Sequence, residues 1–325
     1  MMGNSHILFS YKLNKKGVFE IIASEKIAKE LHDKNLAWVH LDANNAVTRK
    51  WLEKEIGYLD EFVLDALFAS GTRPRVLEVG EGVLVNLRGV NLNVDADPED
   101  MVSIRMWIDK SRIITIERRK VRAVRDISLR IQNKKSPKNP GDFLCLLLNR
   151  LFVPIEEFLI NLDEQIDDLE TEILDNPNQK LREKIINIRR KAIIFRRYMA
   201  PQKEAINSLK NGNIKWLKIN HKRSLQENYD NIIRYIEDLD VIRERSHIIK
   251  DELTNIFTDR LNKNTYILSV IAAIFLPLGF LTGLLGVNIA GIPGAEYEFA
   301  FNIFIIIIIA IVIAQLYFFK KFKWF

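Results

Sequence analysis

The sequence predicts an α/β domain, then long stalk helices, then two C-terminal transmembrane helices. From His6 to Thr115 the chain runs in short β-rich stretches, HILFSYKL, GVFEII, AWVHLD, RVLEV, GVLVNLR and SRIITIE, punctuated by Gly, Asn and Asp. After Gly141 the apolar residues recur at helical spacing. Two uncharged apolar stretches close the chain, Tyr266 to Val287 and Phe299 to Phe319. Each has roughly the 20 residues that a helix needs to cross a hydrocarbon core.

Between the β-rich runs, Arg49 to Phe68 carries apolar residues at helical spacing and reads as helix. Phe143 to Leu174 and Lys180 to Met199 follow as helices, separated by the Asp175-Asn176-Pro177 break, and a loop is expected around Gly212. No Gly or Pro occurs in the 64 residues from Asn213 to Leu276. As one helix they span about 96 Å at 1.5 Å per residue, so the first membrane helix doubles as a stalk. The expected domains are 1–140 (α/β), 141–264 (helical stalk), 265–288 (first span), 289–298 (loop), 299–319 (second span) and 320–325 (basic tail).

Composition excludes several classes. The net charge of +6 is modest, and its densest clusters, Arg118 to Arg125 and Lys134 to Lys138, lack interleaved aromatics on which bases stack, so no nucleic-acid partner is expected. The single Cys145 rules out an intrachain disulfide and fits a reducing compartment. No apolar targeting run opens the sequence, which places the soluble part in the cytoplasm. There is no P-loop, zinc-protease pair or nucleophile elbow, so an enzyme is not expected. No prosthetic group is expected either.

The first span has a polar face. Alternating strides of three and four back from Gly286 meet Gly283, Gly279, Leu276, Ala272, Ser269, Thr265, Asn262, Thr258, Asn255 and Asp251, while the residues between are mostly Ile, Leu, Phe and Val. A stride averaging 3.5 keeps one stripe on the axis of a supercoiled bundle. Close helix packing explains small residues, but has no use for two asparagines and two threonines in register. A lined pore explains both halves. Two helices enclose no path, so several copies must surround one axis, in contact with the lipid bilayer. The apolar section Ala272 to Leu276, beside Pro277, is where dewetting can block ions. Continuing the stride meets His247, Glu244, Asp240 and Glu237, an acidic stripe in phase with the pore stripe or simply a solvated face.

Lys320, Lys321 and Lys323 follow the second span and Arg260 and Lys263 precede the first, whereas Asn288 to Glu298 carries no Lys or Arg. The positive-inside bias puts both termini in the cytoplasm and the loop outside. Glu296 and Glu298 then stand at the outer mouth, as an anionic ring or as part of a solvated turn.

Gly286-Val287-Asn288 at the end of a span, with Pro277 before it and a short acidic loop before a second span, resembles the CorA family of divalent-cation transporters. Most members read Gly-Met-Asn there; the Gly-Val-Asn form, followed by Ile289-Ala290-Gly291-Ile292-Pro293-Gly294, resembles the zinc-transporting ZntB branch of bacterial inner-membrane proteins. So does the soluble stretch from Leu87 to Asn93 and from Asp97 to Trp107. The resemblance implies a homopentameric funnel with Gly286, Val287 and Asn288 as selectivity residues and a ring of five Asn288 carboxamides at the outer mouth. It places the positions of Leu276, Asn262 and Asp251 along the conduction path, and implies coupling of zinc movement to protons. A carboxamide oxygen is a neutral hard acceptor suited to a divalent ion's water shell.

Zinc favours imidazole and thiolate. Five histidines and one cysteine show no paired metal-ligand spacing. His247, four residues before Asp251, shares its helix face, and the two form either a transient zinc site completed by neighbouring subunits or an ordinary surface pair. Zinc preference therefore rests on the resemblance. A magnesium, cobalt or nickel channel of the general CorA type stays open, as does a membrane-anchored coiled-coil scaffold.

Overall fold

A computed structural model describes residues 6–14, 17–71, 73–287, 294 and 297–322. It divides at Lys250 and Asp251 into two units. The first contains β1 (Ile7–Leu13), β2 (Phe19–Ile21), α1 (Ile27–His32), β3 (Ala37–Asp42), α2 (Ala46–Glu55), α3 (Glu61–Phe68), β4 (Arg75–Val79), β5 (Gly82–Gly89), β6 (Val102–Ile108), β7 (Arg112–Glu117), α4 (Arg122–Gln132), α5 (Pro140–Asp175) and α6 (Gln179–Asn211). α7 (Ile219–Leu285) begins in the first unit and ends in the second.

The strands form one sheet in the order β2-β1-β3-β7-β6-β5-β4. β3 and β7 pair in parallel, Ala37 with Arg112 through Asp42 with Glu117, and every other described pairing is antiparallel. This parallel pair is covered on both faces, which is why AWVHLD and RIITIE read as continuous apolar runs with little alternation. One face packs Ala37, Val39, Leu41, Ile114 and Ile116 against Leu31, Leu52, Val63 and Leu67 of α1 to α3. Each such side chain contributes about 1.5–3 kcal/mol by leaving water. On the other face Trp38 meets Phe143 of α5 edge-on at 4.8 Å, and Tyr11 shares a hydrogen bond with Ser128 of α4.

A buried polar chain runs through this second face. Thr115 Oγ1 accepts from Trp38 Nε1 and donates to the Val39 carbonyl, which leaves it to accept from His40 Nδ1 at 2.9 Å. His40 Nε2 then accepts from Arg125 Nη1 at 3.0 Å, and Arg125 also grips Glu117. His40 is thus held neutral, and burial pushes its pKa below 6.5. Burial pushes the Glu117 carboxyl up, but its hydrogen bonds from the Arg125 guanidinium outweigh that and hold it below 4.5. Both depressed values stabilise the fold at high pH. The denaturant midpoint, followed by tryptophan fluorescence, should be flat above about pH 6.5, fall as His40 is forced to charge, and fall again below pH 4.5. Replacing His40 by Gln should remove the first step; a first step that persists assigns it to another group.

Three sequence expectations change. The helix read over Arg49 to Phe68 is two, because Asp60 caps the amide of Val63 and starts α3 afresh after Gly57. α6 does not stop at Met199 but continues through Pro201 to Asn211. Gln202 there clamps the backbone of Arg88 twice, accepting from its amide at 2.7 Å and donating to its carbonyl at 2.9 Å, and Ala205, Ile206 and Leu209 are buried. Tertiary packing offsets the donor lost at proline. α7 starts at Ile219, later than Asn213, since Leu217 closes a turn onto Ile214 and His221 Nδ1 accepts the Lys218 amide. That bond leaves the proton on His221 Nε2, which donates to Asp142 Oδ1 at 2.9 Å. A Cβ on Gly141 would lie 2.1 Å from His221 Nδ1. Gly141→Ala should therefore lower the unfolding free energy by about 1–3 kcal/mol, read as an earlier denaturant midpoint. An unshifted midpoint would show that His221 relaxes freely.

β6 (VSIRMWI) is not among the β-rich runs read from the sequence. Arg105 is buried, donates to the Leu67 carbonyl at 3.1 Å, and its pKa is lowered to about 10 by burial and by Arg118, Arg88 and Arg75.

Candidate functional site

The second unit holds the end of α7 and α8 (Ala300–Lys321), both long and apolar enough to cross a membrane. The isoleucine-rich core of α8 has weak intrinsic helix preference. In hydrocarbon, however, each backbone N–H and C=O must find a partner inside the segment, and only a helix supplies it. Lys320 and Lys321 occupy the last turn, where cations favour the negative end of the helix dipole.

On α7 all of Asp251, Asn255, Thr258, Asn262, Thr265, Ser269, Ala272, Leu276, Gly279, Gly283 and Gly286 are exposed in the single chain. Exposure alone does not single the stripe out, because Leu268, Phe275 and Phe280 are exposed too. Two of its hydroxyls are bonded back to their own helix. Thr258 Oγ1 donates to the Thr254 carbonyl at 2.9 Å and Ser269 Oγ to the Thr265 carbonyl at 2.8 Å. Each hydroxyl gives its proton back to its own helix, which makes it tolerable in a membrane and leaves its oxygen lone pairs as acceptors. A water shell around a cation presents donors, so this is the matching polarity. Thr282 is bonded the same way, to Leu278 at 2.9 Å, and lies off the stride, so the sequence reading passed over it.

The glycines separate into two kinds. A Cβ on Gly286 would lie 2.6 Å from the Thr282 carbonyl that accepts the Gly286 amide, so the helix end itself requires glycine there. At Gly279 and Gly283 an added Cβ meets nothing within 4 Å among the described residues, so none of them requires glycine there. Leu276, between Ala272 and Gly279, is 74% exposed. Val287 is 44% exposed.

Asn288, Glu296 and Lys323 lie outside the described residues. Glu298 is exposed shortly before α8. His247, in the first unit, and Asp251, in the second, are both exposed. Among the described residues no group of three or more His, Cys, Asp and Glu side chains is placed to hold a metal, so this pair is not a complete site within one chain. Of the acidic stripe in the first unit, Asp240 is engaged by Arg196 at 2.7 Å and Arg243 at 3.0 Å, so its charge is spent inside the chain. A contact the sequence reading missed lies beside it. Arg245 of α7 binds Glu170, Asp167 and Asp163 of α5, three carboxylates spaced 3 and 4 apart on one helix face, and they hold its pKa far above the ordinary value. That spacing was the available signal.

Comparison with known proteins places this arrangement. Residues 33–321 match the family described as CorA-like Mg2+ transporter protein. The zinc transport protein ZntB of Pectobacterium atrosepticum is 34% identical over 99% of this chain and 97% of its own length. The divalent cation transporter CmaX of Pseudomonas aeruginosa is 32% identical over 98% of this chain and 96% of its own. The solved structure of full-length CmaX superposes with a TM-score of 0.86 at 31% identity, covering all of both chains. The CorA magnesium transporter of Methanocaldococcus jannaschii gives a TM-score of 0.82 at 18% identity over 98% of each chain, a likeness of fold. Such relatives are transporters and not enzymes. Membrane-spanning α7 and α8, the soluble α/β unit and full-length identity above 30% agree: this chain belongs to the CorA family of divalent-cation transporters, in its ZntB-like branch.

Proposed function

We propose that this chain moves zinc through an axial path lined by the α7 stripe of five identical copies, in a bacterial inner membrane with both termini cytoplasmic. The observation that carries the reading is the stripe itself, exposed, with the Thr258 and Ser269 hydroxyls bonded to their own helix, and small at Gly279 and Gly283, where an added Cβ meets nothing among the described residues. Periodicity supports the oligomer. A stride of 3.5 drifts about 20° per heptad on a straight helix, so the five heptads from Asp251 to Gly286 wind through about 100°. They face one axis only if several α7 helices supercoil around it. Segment 265–288 is then the pore helix, 289–298 the outer loop, and 299–319 the outer span. Gly286, Val287 and Asn288 form the selectivity segment, with Glu296 and Glu298 at the mouth.

Zinc is favoured by Val287 in the Gly-Val-Asn segment and by the zinc transport proteins at 32–34% identity. The family's magnesium description favours the second reading, a magnesium channel of the same build. Glu296, Glu298 and His247 are the candidates for proton coupling. Purified protein in liposomes, with zinc and magnesium fluxes measured side by side, separates the readings. Zinc influx that exceeds magnesium influx is expected; magnesium influx without zinc overturns the zinc assignment, and no flux of either restores the scaffold.

A further inference from the structure

Pro277 has no N–H, so the Ala273 carbonyl four residues earlier lacks the donor that any other residue would supply. In a hydrocarbon environment no water replaces it. The side chain that does replace it comes from α8: Gln315 Nε2 donates to the Ala273 carbonyl at 3.3 Å. From Ile303 to Leu316 every other residue of α8 is apolar. A lone amide in such a run is expensive unless it has work to do. Its Oε1 is buried and finds no partner among the described residues, so the Ala273 carbonyl alone orients the amide.

We infer that Gln315 is a positioning residue that seals the proline break in the lining helix, fixing the turn that carries Ala272 and Leu276. The inference rests on the reading of α7 as the transport path. Ala273 lies next to Ala272 and three residues before Leu276, so the bond holds the back of the turn whose front is the apolar section of the stripe. Without Gln315 the freed carbonyl recruits water into that turn, and the constriction wets more readily. An alanine at 277 supplies its own N–H and makes the amide redundant.

The test is a double-mutant cycle of Gln315→Met, nearly isosteric and apolar, with Pro277→Ala, using zinc flux into liposomes. Gln315→Met should raise maximal flux about threefold at an unchanged half-saturating zinc concentration, the low end for an interhelical hydrogen bond in lipid because the bond is long. In the Pro277→Ala background it should change nothing. A maximal rate that is unchanged or lowered, or an equal change in both backgrounds, overturns the inference. If the unmodified protein moves no divalent cation, the transport reading itself fails, and the latch is then scored on thermal unfolding in detergent. A midpoint lowered by Gln315→Met only when Pro277 is present supports the latch, and equal shifts in both backgrounds overturn it.

Discussion

Leu276→Ser should increase divalent-cation flux, by roughly tenfold or more. The side chain is largely exposed and is the one large apolar side chain of the stripe, flanked by Ala272 and Gly279. Several leucines brought together around an axis would exclude water from a narrow path and so exclude ions that travel with their water shells. Serine removes most of that apolar surface, worth about 0.8 kcal/mol for each buried methylene, and does so once per copy. The substitution leaves the soluble core untouched, so expression and oligomeric state should match the unmodified protein. Initial rates of zinc influx decide it: a rate equal to or below that of the parent places the constriction elsewhere.

Asn288→Leu has the opposite expected effect, loss of uptake to the background of empty liposomes. In a ring, the asparagine carboxamides offer neutral oxygen acceptors to a hydrated divalent ion at the outer mouth, and leucine offers none. Dehydrating the ion to pass a purely apolar ring is far costlier than exchanging hydrogen bonds with an amide. Zinc-dependent growth or direct flux serves as the readout, with assembly checked in detergent. A scaffold without transport predicts that Asn288→Leu and Leu276→Ser both leave cation uptake unaltered, so the two substitutions of opposite sign discriminate against it jointly.

The secondary structure of the soluble unit was legible wherever local pattern and tertiary context agree. AWVHLD and RIITIE are strands by composition, and their burial on both faces reinforces the same choice. It failed where long-range contacts override local rules. The helix read to Met199 runs on through Pro201, because Gln202 is fastened to Arg88 across the fold, and no local window contains that partner. β6 is missing from the β-rich runs, and its Arg105 is buried with its guanidinium on the Leu67 carbonyl, a partner outside any local window. The α7 stripe was legible because the 3.5-residue stride is a property of the sequence alone. Its companion on α8 was not, because a single glutamine in an isoleucine-rich run has no period to reveal it. Only the fold brings Gln315 to the carbonyl that Pro277 leaves open.

Cysteine scanning along α7 tests most directly whether the stripe lines the path. Cys145 is the only native cysteine, partly buried with its thiol pushed up by that burial, and replacing it by Ser gives a background free of competing thiols. Single cysteines are then placed at 265, 269, 272, 276, 279 and 283, and at the intervening positions 267, 268, 271, 275 and 280. A charged, membrane-impermeant thiol reagent should block zinc flux at the stripe positions, with zinc slowing the reaction, and leave the intervening positions unaffected. Modification without block at the stripe, or equal block on both faces of the helix, would contradict the assignment of α7 as the lining of the path.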